Sequence, residues 1–369
     1  MPWTSIDGNG HRGGLTRIEV VVMLGVLAVL AAFLVPALQL RRNVARKMEC
    51  LNNMRNIAFA HQNFASSNGG HLTHLADEMR IMSAPNGPAR GKLAVGWPII
   101  LLPPLDESLM LKNIQRNAVV ESGQSSDAVL RISDAERVYM HVFTCPQDTD
   151  SHKQPGGLSY VVNAGFMSRS LYHGDPDGLH RLGQLSWDGN DVAGETADIE
   201  VAAATGVFWR KSKVFQPSLD YIGGGDGTSE TIMISENLQA GNWWDTDTTL
   251  IAFGIPIDDV NGRVPFGVGA LFESAERPLN TRFDGGKLAA GGKLAAGASP
   301  QDWQINSDLK AAIGTRPRPS SNHHGGVNVI MCDGAGMFFN ENIDPVVYMR
   351  LLTPNGVKYG EVMFGPSSF

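Results

Sequence analysis

Val20 to Leu38 is a run of nineteen residues without a charge, VVVMLGVLAVLAAFLVPAL. At about 1.5 Å rise per residue it covers roughly the 30 Å of a bilayer's hydrocarbon core. A backbone in lipid must satisfy its own hydrogen bonds, so the run is expected to be helical. Gly25 and Pro36 are tolerated there, and Pro36 is expected to kink the helix near its outer end. Residues 41–66 then read RRNVARKMECLNNMRNIAFAHQNFAS. Val44, Met48, Leu51, Met54, Ala58 and Ala65 recur at helical spacing, with Ile57 and Phe64 beside them. The membrane helix is therefore expected to continue as an amphipathic stem. Asn68-Gly69-Gly70 is its stop, because glycine accepts the left-handed cap conformation. Glu19 stands at the edge of the apolar run, where a carboxylate is costly unless paired.

Charge and cysteine usage bound the rest. The net charge of −7 argues against nucleic acid as a partner, since phosphate binding needs a basic face. Apolar residues make up 43% and charged residues 18%, enough for a core, and 42 glycines with 20 prolines imply many turns and long loops. The cysteines are Cys50, Cys145 and Cys332. An extracytoplasmic body permits one disulfide, and a Cys50–Cys145 link would staple the globular part to the stem. Buried free thiols are the alternative, because spacing does not fix connectivity. Arg41, Arg42, Arg46 and Lys47 follow the apolar run while Arg12 and Arg17 precede it, a bias that on its own would put the body in the cytoplasm.

Along the body, residues 71–92 read as mixed, closing in the loop signal Pro85-Asn86-Gly87-Pro88. Residues 96–105 are apolar and proline-broken, either a short edge strand or an irregular packed segment. Residues 106–140 are the best second helical region, and Val142-Phe143-Thr144 enters a strand. Further strands are expected at Leu158–Asn163, Val201–Trp209 and Ser229–Ser235, with long loops over 173–200 and 236–265. Residues 285–296 repeat GGKLAA twice, an insert suited to a surface loop. Val327–Met331, Asp333-Gly334 and Met337–Phe339 form a hairpin pattern, and Asp344 with Pro345 opens a short helix from Ile343 to Leu352.

Two resemblances add to this reading. Gly14, Leu15, Thr16 and Glu19 resemble the type IV prepilin signature, and Pro36 falls where pilins often carry a proline. The resemblance implies that a prepilin peptidase cuts between Gly14 and Leu15 and methylates the new amine. It also implies that Glu19 pairs with the N-terminal amine of a neighbouring subunit. Arg17 departs from the pattern, where an apolar residue is usual. A signal peptide cut after Ala37 fits poorly, with proline beside the cut, and a plain signal anchor is the other option. Scattered blocks resemble the pilin-like domain-of-unknown-function family 1559: residues 46–53, Thr144–Asp148, Ser159–Gly165, Asp226–Thr231, and a His-x9-Asp-Gly motif at His323, Asp333 and Gly334. That family implies no catalytic residues.

Chemistry-bearing patterns are sparse. His323, His324 and Asp333 are metal-ligand types near one hairpin, but Asp-Gly is foremost a turn dipeptide, and no metal or cofactor is expected. Gly223–Ser229 lacks the Lys-Ser/Thr ending of a phosphate loop. Asp245, Asp247, Asp258 and Asp259 lack calcium-loop spacing. No Gly-x-Ser-x-Gly elbow occurs; Trp243-Trp244 could stack on a sugar ring, but a paired Trp more often has one ring in the core and one at the surface. The expectation is an α+β, type IV pilin-like fold: a leader over 1–14, a transmembrane and stem helix over 15–66, and an extracytoplasmic β-rich head with long loops over 67–369. The first strands of the head are expected to pack on the amphipathic half of the stem. The expected role is that of a pilin- or pseudopilin-like structural or surface protein, not an enzyme. It would sit single-pass in the inner membrane with its head in the periplasm or at the cell surface. Its partners would be the membrane, the prepilin peptidase, and like subunits met through the N-terminal helix. The alternative is a membrane-anchored ligand- or glycan-binding module.

Overall fold

The computed structural model describes residues 16–82, 89–117, 119–120, 130–131, 138–168, 182–187, 195–257, 283–284, 287–288 and 304–359; within some elements, 33–40 among them, it describes the backbone alone. The chain divides into two compact units, Met1–Arg46 and Lys47–Phe369.

The first unit holds the start of helix α1 (Arg17–Ser67), which runs through Pro36 without a break in its assignment. Its described apolar side chains are open on all sides: Val21, Leu24, Leu27 and Leu30 are each more than half exposed. Among the described residues no helix is long and apolar enough to cross a membrane. The side chains described in the apolar run end at Ala32, so its last third is outside that statement.

The second unit is α+β with a sheet-rich body. Its stretch of α1 is amphipathic, burying Cys50, Leu51, Met54, Ile57, Ala58 and Ala65. Gly69 and Gly70 take positive φ just past the helix, and the Gly70 amide donates to the Ala65 carbonyl at 2.8 Å. A hairpin follows, β1 (Ala76–Met82) with β2 (Ala89–Gly96). Then come α2 (Trp97–Ile100), α3 (Ser108–Asn117), the strand pair β3 (Val119–Val120) and β4 (Leu130–Arg131), and a 3-10 turn, His141–Phe143. β5 (Tyr160–Ser168), α4 (Thr196–Thr205), α5 (Leu219–Gly223), β6 (Ile232–Glu236), α6 (Thr248–Ile251) and β7 (Ala252–Ile257) come next. β8 (Phe283–Asp284) pairs with β9 (Lys287–Leu288), and the chain closes with β10 (Gly326–Met331), β11 (Gly336–Asn340) and α7 (Pro345–Arg350).

One five-stranded sheet, ordered β11-β10-β6-β5-β7, forms the centre. Its pairs are antiparallel except β5 with β7, which is parallel. Every residue of β5, β6 and β10 is buried, so these strands are covered on both faces, and they read as apolar runs for that reason. The head portion of α1 lies against the β10–β11 end. Gly336 makes the fit possible, since a Cβ there would come within 2.7 Å of the Leu51 side chain. The Lys47 ammonium sits 3.0 Å from the Phe338 ring centre, a cation–π contact beside that seam.

Several local expectations are corrected. Val201–Trp209 is not a strand: its first half belongs to α4, where three consecutive alanines favour helix, and Gly206 ends it. Residues 236–265 are not a continuous loop, because β7 joins the sheet edge there. Residues 71–92 carry β1 and part of β2, which the mixed composition hid. Val142-Phe143-Thr144 is mostly a 3-10 turn, held by Phe143 and Thr144 amides that donate to Met140 and His141. The helix within 106–140 stops at Asn117, where β-branched Val119 and Val120 begin a strand. Residues 96–105 open with a buried helical turn at α2, entered through Pro98. Val44 and Met48, placed on the buried face by spacing, are 57% and 46% exposed, since the packed part of α1 starts only at Cys50.

Candidate functional site

Four buried side chains from distant stretches converge in the body. Cys50 comes from α1, Cys145 from the loop after the His141–Phe143 turn, Glu236 from the last position of β6, and His323 from the segment leading into β10. One ligand-type atom of each lies within 4.8 Å of the other three. Cys50 and Cys145 are bonded, with their Cα atoms 4.9 Å apart. His323 Nε2 faces Glu236 Oε1 at 2.9 Å and Cys145 Sγ at 3.5 Å. None of the four is more than 4% exposed.

Neighbouring residues fix each member. Asn53, one helical turn beyond Cys50, donates from Nδ2 to the His141 and Thr144 carbonyls, both at 3.2 Å. The Tyr160 hydroxyl donates to the same Thr144 carbonyl at 3.1 Å. The Cys145 amide donates to Ser159 Oγ, which donates in turn to Asp148 Oδ2 at 2.6 Å. Asp148 also accepts from the Asp150 and Ser151 amides, closing the loop around the cysteine. Burial pushes the Asp148 carboxyl up, against the pull of those hydrogen bonds, and pushes the Tyr160 phenol well up. Glu236 is held by Asn328, whose amide donates to Oε2 at 2.7 Å and whose Nδ2 donates to Oε1 at 3.2 Å. The His323 amide donates to Ser321 Oγ, which donates to the Gly326 carbonyl.

The residues singled out in the sequence distribute unevenly. His323 enters the cluster, but Asp333 and Gly334 stand at the other end of β10, whose six residues span about 20 Å. Asp333 is exposed and accepts from the Ala335 amide at 2.7 Å; Gly334 takes φ +89° for the turn. His324 is exposed. The His323, His324 and Asp333 set therefore does not assemble. Glu19 and Thr16 form a reciprocal N-terminal cap: the Thr16 amide donates to Glu19 Oε2 at 2.8 Å and the Glu19 amide to Thr16 Oγ1 at 3.3 Å. Gly14 and Leu15 lie outside the described residues.

The other blocks resolve into structural ties. Asn163 donates to the Ile232 and Leu352 carbonyls, both at 2.8 Å, and accepts from the Gly165 amide. Gly165 takes φ +69°, with the Thr205 carbonyl where a Cβ would stand. Asp226, in the glycine-rich stretch, accepts from the Gly356 and Val357 amides and from Thr353 Oγ1, so it binds the chain's own C-terminal segment. Asp245 accepts from Asn242 and Asp247 caps α6, while 258 and 259 are not described. Trp243 is buried against Phe143, and Trp244 packs over Gly156, so the pair offers no open platform. A separate cleft of about 420 Å³ lies between α1 and the 104–110 and 138–142 segments, with Phe59, Met110 and Tyr139 on its walls.

Glu236 is the member that sequence reasoning missed. Its signal was modest: one acid closing a strand whose preceding residues, Ile232 to Ser235, carry no charge. Comparison with protein families matches residues 39–346 to a family described as protein of unknown function (DUF1559). Comparison with curated proteins and with solved structures returns no match.

Proposed function

The chain belongs to the DUF1559 family, and from that premise we propose that it works as a pilin- or pseudopilin-like structural or surface protein. The leader over 1–14 is removed between Gly14 and Leu15. The helix from Leu15 onward anchors the chain in the inner membrane, and the sheet-rich body is presented outside, in the periplasm or at the surface. Copies associate through their N-terminal helices, where Glu19 exchanges the Thr16 amide for a neighbour's N-terminal amine.

One observation carries this reading. The helix from Val20 to Leu30 is apolar on every side, and its side chains are exposed in the single chain. A helix of that composition is stable in lipid or against other helices, not alone in water. The Cys50–Cys145 bond agrees with an oxidising compartment for the body. The test is protease treatment of intact spheroplasts. The body is expected to be digested, leaving a membrane-embedded fragment that contains Val20–Leu38. A body protected until the membrane is broken contradicts the reading.

The cleft beside Phe59 favours a second reading, the anchored binding module. That reading expects a chain still carrying residues 1–14 to be presented as well as the cut one.

A further inference from the structure

We propose that Cys50, Cys145, Glu236 and His323 form a zinc site when the Cys50–Cys145 bond is reduced. The inference is independent of how the chain is anchored.

The geometry points to it in three ways. First, the four atoms that converge, two Sγ, one Nε2 and one Oε1, are a complete donor set for a four-coordinate structural zinc. Zinc bonds of about 2.0–2.3 Å put tetrahedral ligand atoms about 3.3–3.8 Å apart. The observed group lies within 4.8 Å, so side-chain adjustments suffice once the two bonded sulfurs part on reduction. Second, His323 directs one nitrogen at both Glu236 and Cys145. A relay that activated Cys145 would need Glu236 on the other ring nitrogen. A shared ligand centre needs the arrangement observed. Third, a disulfide has no use for polar neighbours. A carboxylate and an imidazole, paired with each other, are nonetheless buried beside it, and both are zinc ligand types. Asn328 orients the carboxylate through two hydrogen bonds, as outer partners of metal ligands do. Cys332, the free cysteine, is not one of the converging four.

Disulfide and metal exclude one another. A dithiol reductant supplies two electrons and two protons, closes to its own disulfide, and leaves Cys50 and Cys145 as thiols. Zinc then binds both as thiolates, and those two protons are released. Either state ties α1, β6, the loop at Cys145 and the approach to β10 together. The zinc form would do so in a reducing environment, where the covalent bond does not persist.

The test uses the full chain in detergent, reduced with a phosphine under argon, refolded with zinc, and desalted. About one zinc per chain is expected after reduction and none in the oxidised protein. Cobalt in place of zinc should give thiolate-to-cobalt charge-transfer absorption and the visible bands of a tetrahedral ion. Zinc, but not magnesium, should raise the melting temperature of the reduced chain. Glu236→Gln should weaken zinc binding at least about ten-fold, and Cys332→Ser should leave it unchanged. A reduced chain whose metal content and melting temperature are indifferent to zinc overturns the proposal. So does zinc uptake that survives Glu236→Gln and His323→Gln together, which marks an adventitious ion only.

Discussion

The two units of this chain solve opposite problems with one helix. In Met1–Arg46, the described apolar side chains of α1 are exposed on every side, with no described residue of that unit covering them. In Lys47–Phe369, the same helix is two-faced, and its inner face enters a core with every residue of three strands buried. On the proposed reading the first unit would take its stability from lipid or like helices; the second buries its own core. The body also uses polar residues as ties: Asn53, Asn163 and Asp226 each join elements far apart in sequence. Substitutions in one unit should therefore leave the other's behaviour intact.

The largest expected effect belongs to the body. Cys50 and Cys145 close a loop with a sequence separation of 95, for which chain entropy gives about 4–5 kcal/mol of stabilisation. Cys145→Ser should lower body stability by that order in metal-free denaturant titration, and membrane association should not change. Next comes Val29→Lys, at the middle of the apolar run. It should cost about 2.5–3.5 kcal/mol of membrane insertion, read as a shift from the membrane to the soluble fraction, with the body's melting temperature unchanged.

His61 gives a smaller effect, set by pH. It is fully buried on α1, its Nδ1 is 3.1 Å from Thr73 Oγ1, and its ring lies against Phe208 and Trp97. Burial holds its pKa down to about 3. The unfolded value is about 6.5, so the neutral folded form contributes fully above that pH. On acidification the contribution falls by about 1.4 kcal/mol per pH unit until about pH 3. Asp148, Asp226 and Asp245 are shifted up by burial and act in the opposite sense. The informative quantity is thus the difference between wild type and His61→Leu, which should remove this part of the acid slope. The smallest effect is that of Glu19→Gln on the isolated chain: helix content should drop slightly and body melting should not move. Association between copies, read by crosslinking in membranes, should be lost. A body that melts differently after this substitution or after Val29→Lys breaks the separation of the two units.

Much of this was legible because it depends on local pattern. Helix α1, its stop at Gly69-Gly70, the β10–β11 hairpin and the Asp344 cap of α7 follow from periodicity, glycine conformation and capping chemistry. What escaped was set by tertiary context. The alanine-rich 202–204 stretch carries no face that declares strand or helix, and β7 lies inside a sequence rich in aspartate and tryptophan. The cluster escaped for a stronger reason. Cys145 and His323 are 178 residues apart and His323 and Glu236 are 87 apart, and such proximity is created by strand order, not by spacing. The pattern that was visible, His323 with Asp333, is the one the extended strand between them pulls apart.

The account rests on the chain being cut and anchored through its N-terminal helix. Intact-mass and N-terminal analysis of the protein from a membrane fraction tests this most directly. The account predicts a chain that begins at Leu15 with a methylated amine. A membrane-fraction protein that still begins at Met1, or one that begins after Ala37, contradicts it.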